Sequence, residues 1–273
     1  MDLRPIGTVT ASAAGYLTIL ACAESFGHSD IRRNVKAISS LHATCSTALG
    51  IYALASDWEI TKESSHGLLR GPKLDDSNNP LIFGESSWGN LATAVETGYL
   101  LFDTLAMLMV SHRSAQAKDL TGRFATIHRL ATREPAILCH HLGLLAGLSC
   151  LQSYIAHGTE RGVRIIVALI LMNASTPLLH LRWWRRQRTG KPSLILDMLL
   201  ATAFATCRLG SVAWVLKAYG DFHGISSWEA ISQQRLICQA GTFALLGLNS
   251  LWLYNLLQNI ASTHSSRKPR VHD

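Results

Sequence analysis

Charge is scarce in this chain. Asp, Glu, Lys and Arg make up 16% of its 273 residues, and they fall in clusters separated by long uncharged runs. Not one of the four occurs between positions 136 and 156, a stretch long enough to cross a bilayer core at about 1.5 Å per residue. That distribution argues against a soluble fold. The basic residues are also too interrupted by apolar runs to form one continuous face, so the net charge of +7 does not point to nucleic acid. Cysteine is sparse as well. Cys22, Cys45, Cys139, Cys150, Cys207 and Cys238 include no CxxC pair, which removes a disulfide framework or zinc site and leaves small buried apolar side chains. No internal repeat and no paired set of broken helices is visible, as an alternating-access transporter would require.

What is present is a series of seven apolar spans, at 6–23, 37–55, 91–110, 135–156, 163–181, 193–217 and 236–260. Each is near the roughly 20 residues a membrane helix needs. The expectation is an all-α, polytopic membrane protein of about seven transmembrane helices around a central cavity. Ala21-Cys22-Ala23 resembles a signal-peptidase site, but only Arg4 precedes it, and Arg32, Arg33 and Lys36 follow it. Those cations prefer the cytoplasmic side, so the first span is expected to be retained. Alternate connections carry twice as many Lys and Arg as the others. The bias places the N-terminus in the lumen and the C-terminus in the cytoplasm. The longest connection, 56–90, is then a lumenal irregular loop with Gly71-Pro72 and Asn78-Asn79-Pro80 as turn signals. From Ser262 the sequence is polar and basic, and it is read as a mobile tail near anionic headgroups.

The informative residues are those that lipid rejects. His140 and His141 lie in the oiliest span, where imidazole can titrate, hydrogen-bond or act as a nucleophile. Adjacent helical positions diverge by about 100°, so the two suit one metal ion poorly, and no metal is expected. In the third span Glu96 and Asp103 each cost about 2.5–3.5 kcal/mol at a helix centre, more than the neighbouring Leu, Val and Phe residues return. Their i, i+7 spacing, with Tyr99 at i+3, puts all three on one inward face. Asp197, Ala201, Phe204 and Arg208 form a second stripe, with the two charges about 16 Å apart along the axis, so each needs its own partner on another helix. Asp197 could also reach water at its helix end. His42 opens the second span. Asn173, Ser175 and Thr176 sit beside Pro177, where a kink frees a carbonyl that hydroxyls can cover.

Together several segments resemble the TLC-domain family, which includes ceramide synthases and smaller TLC-domain-containing proteins. They are Leu41-His42-Ala43-Thr44, Gly98-Tyr99-Leu100-Leu101-Phe102-Asp103, the pair His140-His141, Ser175-Thr176-Pro177 with Leu181-Arg182-Trp183-Trp184, and Cys207-Arg208-Leu209. The resemblance implies a helical barrel in the endoplasmic reticulum, with the paired histidines facing a lipid-sized cavity. The matching segments fall in a TLC domain at 35–260; with the charge bias, this leaves a lumenal N-terminus, first span and connecting loop at 1–34 and a basic cytoplasmic tail at 261–273. Ceramide synthases transfer a fatty acyl group from acyl-CoA to a sphingoid amine. Carried over, His140 or His141 is the acyl acceptor or general base, and Asp103 orients an imidazole. His42 is then a secondary pocket residue; Tyr99, Asn173, Ser175, Thr176, Asp197 and Arg208, polar or charged within the spans, are read as further substrate-binding or pocket residues. The connection His157-Gly158-Thr159-Glu160-Arg161-Gly162 lacks the further acidic and His-Asp elements of ceramide synthases, which makes the likeness one to the smaller TLC proteins.

Two functions fit. One is an N-acyltransferase of lipid metabolism with acyl-CoA as co-substrate and no resident cofactor, the CoA phosphates held by the basic clusters 113–133 and 182–191. The other is non-enzymatic lipid binding, lipid sensing or cargo handling in the same cavity, with membrane lipids as partners.

Overall fold

In the computed structural model the described residues are 3–26, 30–61, 76, 78–116, 127–128, 130–132 and 135–265. Among them there is helix and turn but no strand. The helices divide into two compact units, changing over at residues 167 and 168.

The first unit holds α1 (Arg4–Ser25), α2 (Ile31–Thr61), α3 (Ser87–Gln116) and α4 (Pro135–Ala156). Helix α3 touches the other three, and its small residues explain why. Ala92, Ala94 and Ala106 are at most 2% exposed, and a Cβ on Gly98 would lie 2.5 Å from the Val9 carbonyl oxygen and 2.6 Å from Ser12 Cβ. Small side chains let two backbones approach closely in lipid, where packing replaces the hydrophobic effect as the driving force. Ser12 Oγ donates to the Val95 carbonyl across that contact at 3.1 Å. Leu20, Ile31, Ile38, Tyr99, Phe102 and Ala106 form the core between α1, α2 and α3. At one end Arg113 pairs with both oxygens of Glu24, at 2.6 and 3.0 Å. At the other, Asn79 caps a single turn, Pro80–Phe83. That segment is tied to the connection after α4 by a bond from the Gly162 amide to the Ile82 carbonyl (2.7 Å) and by Asn90 and Glu160.

Helix α5 (Val163–Ile170) leads into the second unit. A 3-10 turn, Leu171–Ser175, precedes α6 (Thr176–Thr189), so the kink expected at Pro177 takes the form of a tightened turn. Then come α7 (Leu194–Phe204), a π turn (Ala205–Leu209), α8 (Gly210–His223), α9 (Ser227–Gln233) and α10 (Leu236–Ser265). Ser226 and Glu229 form a reciprocal capping box at the start of α9. Met172, Val212, Leu216 and Ile231 make the core of this unit.

Among the described residues, six segments are long and apolar enough to cross a membrane: Arg4–Ser25, Ser87–Arg113, Pro135–Ala156, Val163–Thr189, Leu194–His223 and Leu236–Ser265. The expected span 37–55 is helical throughout, inside α2, but is not among them. Its polarity comes from residues such as His42 and Ser46, which are 2% and 3% exposed and turned inward. Three other expectations are corrected over the residues described. In the connection 56–90, residues 56–61, 80–83 and 87–90 are helical rather than irregular, while 62–75 and 77 lie outside the described residues. Of the segment from Ser262, residues up to Ser265 continue α10, with His264 engaged by Asp197, and 266–273 lie outside the described residues. Five of the six cysteines are exposed and Cys207 half-buried. A thiol is apolar enough to face hydrocarbon on the outside of a span, so membrane helices need not bury it.

Candidate functional site

In the first unit the inward face of α3 meets imidazoles from two helices. Glu96, Tyr99 and Asp103 recur at the spacing that keeps them on one face, and α2 and α4 bring His42 and His141 to it. His42 is 2% exposed. Its ring lies flat on Tyr99, with centroids 3.6 Å apart and planes within 7°. Its Nε2 is 3.0 Å from Glu96 Oε2, and its Nδ1 is 2.8 Å from the Tyr16 hydroxyl. With Glu96 ionised and His42 neutral, Nε2–H donates to the carboxylate and the Tyr16 O–H donates to Nδ1. Both nitrogens are then occupied.

His141 is arranged differently. Thr104 Oγ1 donates to the Leu100 carbonyl at 2.7 Å, so it can only accept from His141 Nδ1, 3.2 Å away. The ring's proton is therefore on Nδ1. Nε2 is 3.7 Å from Asp103 Oδ2, too long for a hydrogen bond but within ion-pair range. An imidazole nitrogen and a carboxyl group this close can pass a proton between them during a reaction, which suits acid–base work. His140 is half-buried, and its ring is turned 71° from that of His141 with centroids 6.1 Å apart. The pair therefore diverges, and His141 is the member directed at α3.

The remaining expected residues lie in the second unit, in two groups. Asp197 is 1% exposed and meets Arg182 Nε at 2.5 Å, Arg186 Nη2 at 3.5 Å and His264 Nε2 at 3.0 Å. The water access considered for it is thus replaced by two guanidinium groups on α6 and an imidazole on α10. Arg182 and Arg186 are thus engaged by Asp197, while Arg185 and Arg188 stay exposed. Of the cluster 113–133, 117–126, 129, 133 and 134 lie outside the described residues. Arg208 donates from Nε to Ser175 Oγ at 3.1 Å and from Nη1 to Asn249 Oδ1 at 3.3 Å. Ser175 is 1% exposed. Asn173 and Thr176 are half-buried in the kinked segment.

Sequence reasoning passed over Tyr16, Thr104, Asn249 and His264 as site residues, and it left Glu96 as an inward acid only. Asn249 was findable by the test that found Asp197 and Arg208, since lipid rejects an amide in an apolar span. Tyr16 carries no such signal, because its ring is tolerated in a membrane helix.

Against this geometry, the family model for the TLC domain (TRAM, LAG1 and CLN8) matches residues 32–258. No curated protein and no solved structure matches the chain. The match covers most of the chain and includes α2 and α4, the helices that carry the histidines of the first-unit site. Helix α1, with Tyr16, lies outside it. With its apolar helices, the chain is an integral multi-pass membrane protein and belongs to the TLC-domain family.

Proposed function

We propose that this protein is an intramembrane N-acyltransferase that moves a fatty acyl group from acyl-CoA to a lipid amine, with His141 as the acyl acceptor. The observation that carries the reading is His141 itself: Nδ1 is tied to Thr104 while Nε2, beside Asp103, has no hydrogen bond among the described residues. In the first step the Nε2 lone pair attacks the thioester carbonyl, the C–S bond breaks and CoA leaves as thiolate. In the second the neutral amine attacks the acyl-imidazole, the C–N bond to His141 breaks, and Nε2 recovers its lone pair. The amine proton passes to Asp103 and then to the thiolate, so the products are an amide and CoA. Asp103 also steadies the acyl-imidazolium, and exclusion of water protects it from hydrolysis. A sphingoid amine and a location in the endoplasmic reticulum are the acceptor and compartment we favour, from the likeness to ceramide synthases.

A non-enzymatic reading draws on His42. The most enclosed imidazole of the site has both nitrogens engaged, as a packing or headgroup-recognition residue would. Purified protein incubated with fatty acyl-CoA and a panel of sphingoid and other amines separates the two. Amide formation that is lost in His141→Ala, with expression and insertion intact, supports transfer. Saturable lipid binding with no turnover on any amine supports the non-enzymatic reading and removes the first.

A further inference from the structure

Arg208 is a cation within a membrane-spanning segment, and among the described residues no carboxylate pairs with it. The other embedded charges are answered: Glu96 and Asp103 by imidazoles, Asp197 by two guanidinium groups and an imidazole. The partners of Arg208 are neutral, and each is locked to present an acceptor. Ser175 Oγ gives its proton to the Met172 carbonyl at 3.2 Å, so a lone pair faces Arg208 Nε. Asn249 Nδ2 donates to the Leu245 carbonyl at 2.8 Å, which turns Oδ1 toward Nη1. The rings of Phe204 and Trp252 flank the guanidinium carbon at 4.7 and 5.9 Å. Two of the five guanidinium N–H groups are used. Nη2 has no hydrogen-bond partner among the described residues, and it is not one of the polar atoms sealed inside the protein.

The backbone is shaped around this residue as well. Arg208 lies in the π turn, closed by a bond from the Gly210 amide to the Ala205 carbonyl five residues back. Such turns inside helices recur at functional sites because the extra residue re-aims a side chain at the cost of regular packing. A guanidinium held in hydrocarbon depth with neutral neighbours lacks a counter-charge. Its planar fork matches the paired oxygens of a carboxylate or a phosphate. At this depth, between two aromatic rings, the anion that arrives with an apolar body is a lipid one.

We infer that Arg208, fixed by Ser175 and Asn249 and flanked by Phe204 and Trp252, binds the carboxylate or phosphate group of an acyl-chain amphiphile. The inference concerns binding alone and does not rest on the acyl-transfer reading. It is tested on the full chain in detergent, with neither acyl-CoA nor amine present, by titrating brominated stearate and brominated phosphatidate. The readout is the saturable part of tryptophan quenching. The wild type should show saturable quenching that Trp252→Phe largely removes. Arg208→Gln should weaken both lipids by at least about tenfold, the loss expected for charge-assisted hydrogen bonds. Arg208→Lys, which keeps the charge but not the fork, should fall in between and serves if the Gln variant does not fold. Undiminished binding in either variant, or quenching indifferent to Trp252→Phe, overturns the assignment. Stearate bound alone identifies a fatty-acid site and phosphatidate bound alone a phospholipid site. Inorganic phosphate displacing either lipid at equal concentration contradicts the lipid and shows a free-anion site instead.

Discussion

At His42 both ring nitrogens are occupied, by Tyr16 and Glu96, whereas at His141 only Nδ1 is. The two histidines should therefore respond differently to removal. His141→Ala is expected to lower amide formation by about 10²–10⁴-fold, the span typical of a positioned acid–base or nucleophilic group, and Asp103→Asn by a similar order with binding retained. His42→Ala should act on stability first, lowering the midpoint of thermal unfolding, because it leaves Glu96 and Tyr16 without their imidazole. Equal losses of turnover in folded His42→Ala and His141→Ala would contradict the division of roles. Asp197 belongs to the same scale. Removing one partner from a buried ion pair costs about 3–5 kcal/mol, so Asp197→Ala should unfold at a clearly lower temperature than Asp221→Ala, whose exposed pair with Lys217 is worth at most about 1 kcal/mol. Much of this chemistry was legible beforehand. The spacing of Glu96, Tyr99 and Asp103 showed which way they face, and lipid's rejection of charge showed that each acid needs a partner. Which partner was not legible, since the contacts of Glu96 with His42 and of Asp103 with His141 join helices far apart in sequence.

Among the elements, α1 and α3 depend on Gly98. A side chain there would press into the Val9 carbonyl, a backbone atom that cannot swing aside. Gly98→Val should therefore separate the two helices and take Tyr16 away from His42. The expected result is a fall in thermal midpoint together with loss of the Tyr16–His42 hydrogen bond, followed as a change in the His42 ring resonances. Spectra identical to wild type would show that the close approach is not needed. The helices themselves were largely readable from apolar runs and the Pro177 signal. The π turn was not. Its sequence, Ala205-Thr206-Cys207-Arg208-Leu209, has no residue that dictates i→i+5 bonding, and only the charge inside an apolar span marks the place. The reach of α10 to Ser265 was hidden for a related reason: the polar composition after Ser262 says solvent, but the contact of His264 with Asp197 prevails.

For the whole molecule, the doubled Lys and Arg content of alternate connections predicts a lumenal N-terminus and a cytoplasmic C-terminus. That requires α2 to cross along with the six more apolar segments. Epitope tags at the two ends, probed in sealed vesicles, should be protected from protease on opposite sides. Both ends on one side would mean that α2 does not cross. The account as a whole stands on the assignment of chemistry to His141, and one measurement bears on it directly. Wild-type protein is incubated with fatty acyl-CoA without any amine acceptor, digested and analysed by mass spectrometry for the acylated residue. The account predicts an acyl group on His141 that persists in His140→Ala and disappears in His141→Ala. No adduct on the wild type, or one that survives in His141→Ala, would contradict it.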